Sequence, residues 1–95
     1  MDFNIADVVI SLNGRDKNKH FIVTHTDDVF LTLVDGKGRK LEKPKRKKNK
    51  HVKHSDGTID IKLAEKLQAG EKVTNKEIRK ALAEYTVSKE AEERI

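Results

Sequence analysis

A dense run of cationic side chains is the feature of this sequence with the clearest chemical meaning. Between Lys37 and Lys53 the chain carries ten Lys or Arg residues and one acid. The formal charge is about −3 over residues 1–36, +9 over residues 37–53 and −1 over residues 54–95. Such a cluster repels itself and lowers stability, so it usually indicates a polyanionic partner, and nucleic acid is the first candidate.

Two basic elements are predicted to contact nucleic-acid phosphates. The smaller one occupies a predicted hairpin tip at residues 15–19, and the larger one is the run that begins at Lys37. Loops that open on the same side of a small domain would merge the two clusters into one face. The alternative is a solvated, solubilising loop, which is the common role of a charge run. The residues predicted to bind nucleic acid are Arg15, Lys17, Lys19, Lys37, Arg39, Lys40, Lys43, Lys45, Arg46, Lys47, Lys48, Lys50 and His51.

The scarcity of aromatic residues limits how such a surface recognises nucleic acid. The aromatic residues are Phe3, Phe21, Phe30 and Tyr85. The last three follow core-like patterns and none lies among the lysines, whereas recognition of single strands uses exposed aromatic rings for base stacking. We therefore expect recognition of the phosphates and shape of structured RNA, with His20 or His51 supplying an occasional hydrogen bond or stack.

Other chemistries find little support in the sequence. Ser11 and Ser88 have no His or Asp partner indicated nearby, and no glycine-rich phosphate loop is present. We therefore expect no enzymatic activity and no small-molecule substrate. His51 and His54 have a metal-like spacing with Asp56 as a third ligand, but the surrounding lysines disfavour a cation. We expect no metal and no cofactor.

The composition also bears on where the protein works. Cysteine is absent, so disulfides and thiolate metal sites are excluded, which fits a reducing cytoplasm. The N-terminus lacks a basic lead and carries Asp2 and Asp7, which is unlike a signal peptide. No run approaches the roughly 18 apolar residues of a membrane span. We predict a cytoplasmic protein with no membrane partner.

The spacing of apolar residues predicts the elements that position the basic clusters. Runs rich in β-branched residues end at the turn dipeptides Asn13-Gly14 and Asp35-Gly36, whose residues tolerate positive φ. Pro44 is expected to end a fourth strand because it lacks a donor for the ladder. The predicted strands cover residues 5–12, 20–26, 29–34, 39–42 and 51–53.

Alternation in the second strand assigns its side chains to two faces. Phe21 and Val23 point to one face and Ile22 to the other. Several short strands with turns roughly every 8–12 residues, and no helix among them, are typical of a small barrel or sandwich. The first half of the chain is therefore predicted to be a small β-barrel.

Helical spacing replaces the strand pattern in the second half of the chain. Leu63 and Leu67 share one face of a first helix, and Gly70 is a natural C-terminal cap. Thr74 and Glu77 form a capping box that starts a second helix. We expect this helical hairpin to pack on the barrel as ordinary core. The alternative is a semi-independent unit that docks on a partner protein.

The predicted organisation has four parts. Residues 1–54 form the barrel with its basic loop, residues 55–59 a linker turn, residues 60–87 the helical hairpin and residues 88–95 a frayed tail. The tail is compatible with a helix, but it is almost entirely polar. The residues around the linker also fit a β-hairpin, and both alternatives stay open at this point.

The N-terminal half resembles a KOW motif. In that family a strand with paired valines and a glycine leads through a basic tip to an apolar strand, and Asp7–Gly14, Arg15–Lys19 and Phe21–Val23 fit these parts. Over roughly residues 4–53 the chain is more closely similar to short bacterial KOW-domain proteins that are like eukaryotic-type large-subunit ribosomal proteins. One departure is Asn18, which stands where many KOW motifs have a second glycine. Asn tolerates a left-handed conformation better than most residues.

The resemblance implies an SH3-like β-barrel and RNA binding, often on the ribosome. The predicted fold is α+β: a small SH3-like β-barrel of four or five short antiparallel strands, followed by a C-terminal two-helix hairpin. The predicted function is RNA binding in association with the ribosome or ribosomal RNA, with ribosomal or other translation proteins as further partners. The alternative is a protein-interaction module that recruits a transcription or translation factor, with the basic loop meeting an acidic protein surface.

Overall fold

Five antiparallel strands and two helices form the described part of the chain, which confirms the predicted α+β class. The computed structural model describes residues 2–55 and 59–93, with side chains described as far as Tyr85. The strands are β1 (Val8–Ser11), β2 (His20–Thr26), β3 (Phe30–Val34), β4 (Lys45–Lys48) and β5 (Val52–His54). A 3₁₀ turn at Asn49–His51 separates β4 from β5, and the helices are α1 (Ile61–Ala69) and α2 (Asn75–Glu93).

The strands form one sheet in the order β4-β3-β2-β1-β5, with every neighbouring pair antiparallel. β2 is the central strand, and it has the predicted bounds because its β-branched run is bounded by polar turn residues on both sides. β1 pairs with β5 through Ser11 opposite Val52. An irregularity between Val23 and His25 shifts the register of β2 against β3.

Alternation along β2 directs its side chains to two separate apolar clusters, as predicted. Phe21 and Val23 lie in one cluster and Ile22 in the other, and all three are fully buried. The first, called the sheet cluster, contains Val9, Phe21, Val23, Leu31, Leu33 and Val52. The second, called the helix-side cluster, contains Ala6, Val8, Ile22, Val34, Ile59, Leu63, Leu67, Ile78, Ala81, Leu82 and Tyr85.

The helical hairpin packs on the sheet as ordinary core, as predicted. Leu63 of α1 and Ile78 of α2 join Ile22 of β2 in the helix-side cluster. The hydroxyl groups of Tyr85 and Ser55 are hydrogen-bonded, which adds a polar contact between α2 and the end of β5. Burial of each large aliphatic side chain contributes roughly 1.5–3 kcal/mol. The two halves of the chain are therefore stabilised by one shared core.

Gly70 and the Thr74–Glu77 pair act as the predicted caps, and Asp60 adds a cap that was not predicted. Asp60 caps α1 by accepting the Leu63 N–H at 3.3 Å, and Gly70 ends that helix in the left-handed conformation with φ +75°. The Glu77 N–H donates to Thr74 Oγ1 at 3.2 Å, and the Thr74 N–H donates to Glu77 Oε1 at 3.1 Å. These reciprocal bonds are the predicted capping box.

The predicted fourth strand around Leu41 is wrong. Lys40 and Lys43 form only an isolated bridge, and the strand that pairs with β3 is the lysine run itself, Lys45–Lys48. Leu41 packs against the helix-side cluster instead of a ladder. Pro44 therefore precedes a strand, a position where its missing N–H costs nothing, rather than ending one. The central part of the basic run is an edge strand and not a loop.

The predicted linker at residues 55–59 is tied to the fold at both ends. The Ser55 N–H donates to the Val8 carbonyl at 3.0 Å, and Ile59 is buried in the helix-side cluster. Residues 56–58 lie outside the described part of the chain. The predicted alternatives of a linker turn and a β-hairpin both concern these residues.

Helix α2 is longer than predicted. It continues to Glu93, beyond the expected end at residue 87 and into the segment expected to fray. Its last turns are rich in Glu, Ala and Lys, which have high helix propensity. Residues 94–95 lie outside the described part. Within residues 2–55 and 59–93, neither helix combines the length and apolar character that a membrane span needs.

Candidate nucleic-acid interface

The first hairpin tip, residues 12–19, is shaped by two residues with positive φ. Gly14 has φ +76° and Asn18 has φ +71°. The Asn18 N–H donates to the Ser11 carbonyl at 2.8 Å, and the Ser11 N–H donates to the Lys19 carbonyl at 3.1 Å. Three cations are exposed on this tip: Arg15, Lys17 and Lys19. No ion pair joins any of them to another described residue.

Asp16 is the acid around which the basic segments meet. Its side chain is buried in the tip and forms an ion pair with the Lys45 ammonium of β4. The hydrogen bond from Lys45, with the charges of Lys45, Arg39 and Lys19, holds the pKa of Asp16 below its ordinary value. Arg39 belongs to the β3–β4 connection and Lys19 to the tip. The Lys45–Asp16 pair therefore brings the tip against β4, and the Arg39 and Lys19 charges lie close enough to lower the pKa of the same acid.

Lys47 is turned into the protein rather than towards solvent. It is 8% exposed, and its Nζ donates to Ser11 Oγ at 2.5 Å and to the Asn13 carbonyl at 2.8 Å. Burial, reinforced by the neighbouring Lys45 charge, lowers the pKa of its ammonium. This predicted RNA-binding residue thus already has protein partners, and it ties β4 to the base of the tip.

The alternation of β4 explains how its cations divide. Residues paired directly across two strands point to the same face. β4 pairs Lys45 with Leu33, Arg46 with Thr32, Lys47 with Leu31 and Lys48 with Phe30. Lys45 and Lys47 therefore share the face of the sheet cluster, where Asp16 and Ser11 meet them. Arg46 and Lys48 face the other side, and both are exposed.

Arg46 is held by an acid and an aromatic ring. Its Nη2 lies 3.3 Å from Asp27 Oδ2, and its guanidinium carbon lies 4.5 Å from the centroid of the Phe30 ring. Asp27 is itself fixed, because its Oδ1 accepts the Phe30 N–H at 2.7 Å and the Val29 N–H at 2.9 Å. These backbone bonds hold the pKa of Asp27 below its ordinary value, so the carboxylate stays ionised beside Arg46.

The β3–β4 connection, residues 35–44, is anchored on α2. The Arg79 guanidinium donates to the Gly36 carbonyl at 2.7 Å, and Asn75 Oδ1 accepts the Leu41 N–H at 2.8 Å. Gly36 has φ +79°, and a Cβ there would lie 2.5 Å from the Asn75 carbonyl oxygen, so a side chain does not fit. The exposed lysines of this connection are Lys37, Lys40 and Lys43. Their backbone is thus restrained although their side chains face solvent.

The 3₁₀ turn after β4 places the last two predicted binding residues. Lys50 is exposed and His51 is partly buried. The Asn49 N–H donates to the Val29 carbonyl at 2.9 Å, and the Leu12 N–H donates to the His51 carbonyl at 2.9 Å. The turn therefore bridges the β2–β3 connection and the first hairpin tip.

Two residues at this surface were not among the predicted binding residues. Asp16 stands between Arg15 and Lys17, and an acid inside a basic tip is a sequence signal for local charge compensation. Phe30 is predicted to lie in the core, and this prediction is wrong: its ring is partly buried and belongs to neither apolar cluster. Its role beside Arg46 depends on the register of β4, which the lysine run does not encode.

The histidines are dispersed over the fold. His54 stacks on Phe3 with ring centroids 4.3 Å apart, and its Nδ1 lies 3.6 Å from an Asp7 carboxylate oxygen. His51 lies in the 3₁₀ turn, and Asp56 lies outside the described residues. Among the residues that the structure describes, no three His, Asp or Glu side chains converge as metal ligands.

Neither a scan against models of known protein families nor a search of curated proteins found a match for this chain.

Proposed function

We propose that this chain is a non-enzymatic, cytoplasmic RNA-binding protein that works in association with the ribosome or its RNA. The observation that carries the proposal is the ion pair between Lys45 of β4 and Asp16 of the tip, which brings the two basic elements together at one acid. The Lys45–Asp16 pair joins β4 to the tip, so the exposed tip cations lie beside the inward-facing side of β4, whereas Arg46 and Lys48 are exposed on the opposite face of that strand. Lys and Arg side chains at such a surface neutralise phosphates and release counterions.

The proposed barrel is supported by the connection between the two ends of the sheet. β4 and β5 are the outermost strands, and in a flat sheet they would lie about 19 Å apart, since neighbouring strands are about 4.8 Å apart. The chain from Lys48 to Val52 spans at most about 14 Å. The contact of Lys47 on β4 with Ser11 on β1 also crosses two intervening strands. Both observations favour a strongly curled, SH3-like sheet.

The proposed relationship to KOW proteins is supported by the backbone of the tip. Asn18 stands where many KOW motifs have a second glycine, and it has φ +71°. A left-handed residue at this position is what a glycine there would supply. The departure in sequence is therefore compatible with a KOW-like hairpin tip.

The free cations of the tip offer the sharpest test. The triple variant Arg15→Gln, Lys17→Gln, Lys19→Gln removes three exposed charges that have no ion pair among the described residues. We expect its affinity for ribosomal RNA fragments to fall at least about tenfold at low salt. The slope of log K against log salt should become shallower by roughly 2 units, because each lost phosphate contact removes about 0.7–0.9. The measurement is a binding titration at several salt concentrations.

The matched control removes the same net charge from the helical half. Lys62, Lys72 and Lys80 are exposed on or between the helices, and their replacement by Gln changes the net charge equally. We expect this control to keep the wild-type salt slope and to lose less than about threefold in affinity, since long-range charge effects are screened. Equal losses in both variants, or no loss in the tip variant, would contradict the proposed interface.

Ultraviolet crosslinking in the native cell tests the ribosomal part of the proposal. Sequencing of the attached RNA should give a sharp peak on ribosomal RNA. A spread over many messengers would contradict the ribosomal association and leave general RNA binding. Absence of RNA, with partners that survive ribonuclease treatment, would favour the protein-interaction module.

A further inference from the structure

We infer that Phe30 and Arg46 form a stacking platform for an unpaired nucleobase of the bound RNA. This inference rests on the proposed RNA-binding function and adds a second component of recognition to phosphate contacts. The platform lies on the uncovered half of the sheet face on which the helices pack. Its defining residues are Phe30 of β3, Arg46 and Lys48 of β4, and His25 of β2.

Strand register places these side chains on one face. Phe30 pairs with Lys48, Thr32 pairs with both Arg46 and His25, and directly paired residues point the same way. Phe30 and Thr32 alternate with the buried leucines of β3, so they point away from the sheet cluster. A row of polar, aromatic and cationic side chains thus crosses β2, β3 and β4.

The helices cover only part of this face. Val34 of β3 and Ile22 of β2 are fully buried in the helix-side cluster, whereas Phe30 and Thr32 on the same face are partly exposed. His25, Arg46 and Lys48 are exposed. A ligand therefore has access to the half of the face that contains the aromatic ring.

Arg46 is already held in a geometry suited to stacking. Its guanidinium lies 4.5 Å from the Phe30 centroid and also contacts Asp27, while its side chain remains 62% exposed. A planar guanidinium supported by a ring offers a second planar surface on which any base can stack. Because Asp27 is fixed by two backbone N–H groups, this arrangement exists before RNA binds. The Arg46 side chain therefore loses less conformational freedom on binding.

The charge around the platform suits an RNA strand. Lys48 lies on the same face of β4 as Arg46, so this β-strand also offers a cation to a phosphate next to the stacked base. Arg46 is partly neutralised by Asp27, which favours stacking over a simple phosphate contact. The ligand that fits is a single-stranded or bulged nucleotide joined to structured RNA, without selectivity among bases, since every base has a stacking face.

The test compares two RNAs that differ only in the presence of bases. One is an RNA hairpin with a short single-stranded adenosine tail, and the other has the same tail with abasic sugars, so the number of phosphates is equal. We expect the wild-type protein to bind the adenosine tail at least about fivefold more tightly. Arg46→Lys keeps the charge but loses the planar group, and it should reduce this preference towards one. Phe30→Leu should act similarly.

The tip variant Arg15→Gln, Lys17→Gln, Lys19→Gln distinguishes this inference from the proposed function. It should weaken binding to both RNAs by the same factor and leave the preference for bases intact. Equal affinity of the wild type for the two RNAs, or a preference kept in both Arg46→Lys and Phe30→Leu, would overturn the platform alone. If the wild-type protein bound neither RNA, the proposed function would be overturned as well.

Discussion

The cations of the first hairpin tip and those of β4 have similar chemistry but different surroundings. Arg15, Lys17 and Lys19 are exposed and have no ion pair with a described residue. On β4, Lys45 pairs with the buried Asp16, and Lys47 is buried against Ser11. The tip cations are available to a ligand, whereas the inward-facing cations of β4 already contact other groups of the protein.

This difference shows that a run of like charges does not act as a unit once it becomes a strand. Neighbouring residues of a strand point to opposite faces, so alternate cations meet different partners. A variant that neutralises all of Lys45–Lys48 would mix loss of binding with loss of stability. The inward and outward cations therefore have to be changed separately.

The largest effect is expected from Lys47→Ala. This change removes the donor that Ser11 Oγ and the Asn13 carbonyl share and opens space between β4 and the tip, so the free energy of unfolding should fall by about 2 kcal/mol, chiefly because of that space. Lys47→Met keeps the volume and removes a costly buried charge, and it should change stability by less than about 1 kcal/mol. Urea denaturation of both variants is the measurement. Equal stability of Lys47→Ala and wild type would show that Lys47 is not a structural cation.

An intermediate effect is expected from Asp16→Asn. Removing the carboxylate leaves Lys45 partly buried and unpaired, and the free energy of unfolding should fall by about 1–2 kcal/mol at neutral pH. The same change removes the acid from the centre of the cationic surface, so RNA affinity at low salt should rise. A simultaneous fall in affinity would mean that Asp16 orients the cations for binding as well as neutralising them.

The acid limb of the stability curve gives a second measurement on Asp16. The pKa of Asp16 is lower in the folded protein than its ordinary value of 3.8. Its contribution to the free energy of unfolding is therefore complete above the ordinary pKa, and it is lost as the pH falls through the lower pKa of the folded state. Acid unfolding followed by circular dichroism should therefore be less steep in Asp16→Asn than in wild type. Identical acid limbs would contradict a stabilising Lys45–Asp16 pair.

The smallest effect on stability is expected from the tip variant Arg15→Gln, Lys17→Gln, Lys19→Gln. These side chains are exposed and without ion pairs to described residues, so the free energy of unfolding should change by less than about 0.5 kcal/mol. Urea denaturation of this variant accompanies the binding titration. A loss above about 1 kcal/mol would show that the tip cations contribute to folding as those of β4 do.

The elements that sequence predicted well have strong local signals. β2 has its predicted bounds because β-branched residues alternate between two buried faces. The predicted caps at Gly70 and Thr74 satisfy backbone groups at the helix ends, through a left-handed residue in one case and a local side chain in the other. Such features depend on residues a few positions apart, so the sequence contains the information.

The strand formed by Lys45–Lys48 has no local signal in the sequence. Four successive cations show no apolar alternation, so neither the strand nor its inward face is visible in the sequence. Leu41, around which a fourth strand was predicted, packs against the helix-side cluster instead. The position of Phe30 beside Arg46 likewise depends on a register that only the folded sheet sets. The contact between the tip and β4 at Asp16 likewise depends on tertiary structure.

The position of β4 at the end of the strand order also affects how copies of the protein meet one another. An outermost strand offers backbone donors and acceptors to a strand of another molecule, which is a common start of aggregation. Two copies of Lys45–Lys48 laid side by side would place cation against cation along their whole length. Electrostatic repulsion therefore protects this border of the sheet from self-association while the protein is free of a polyanion.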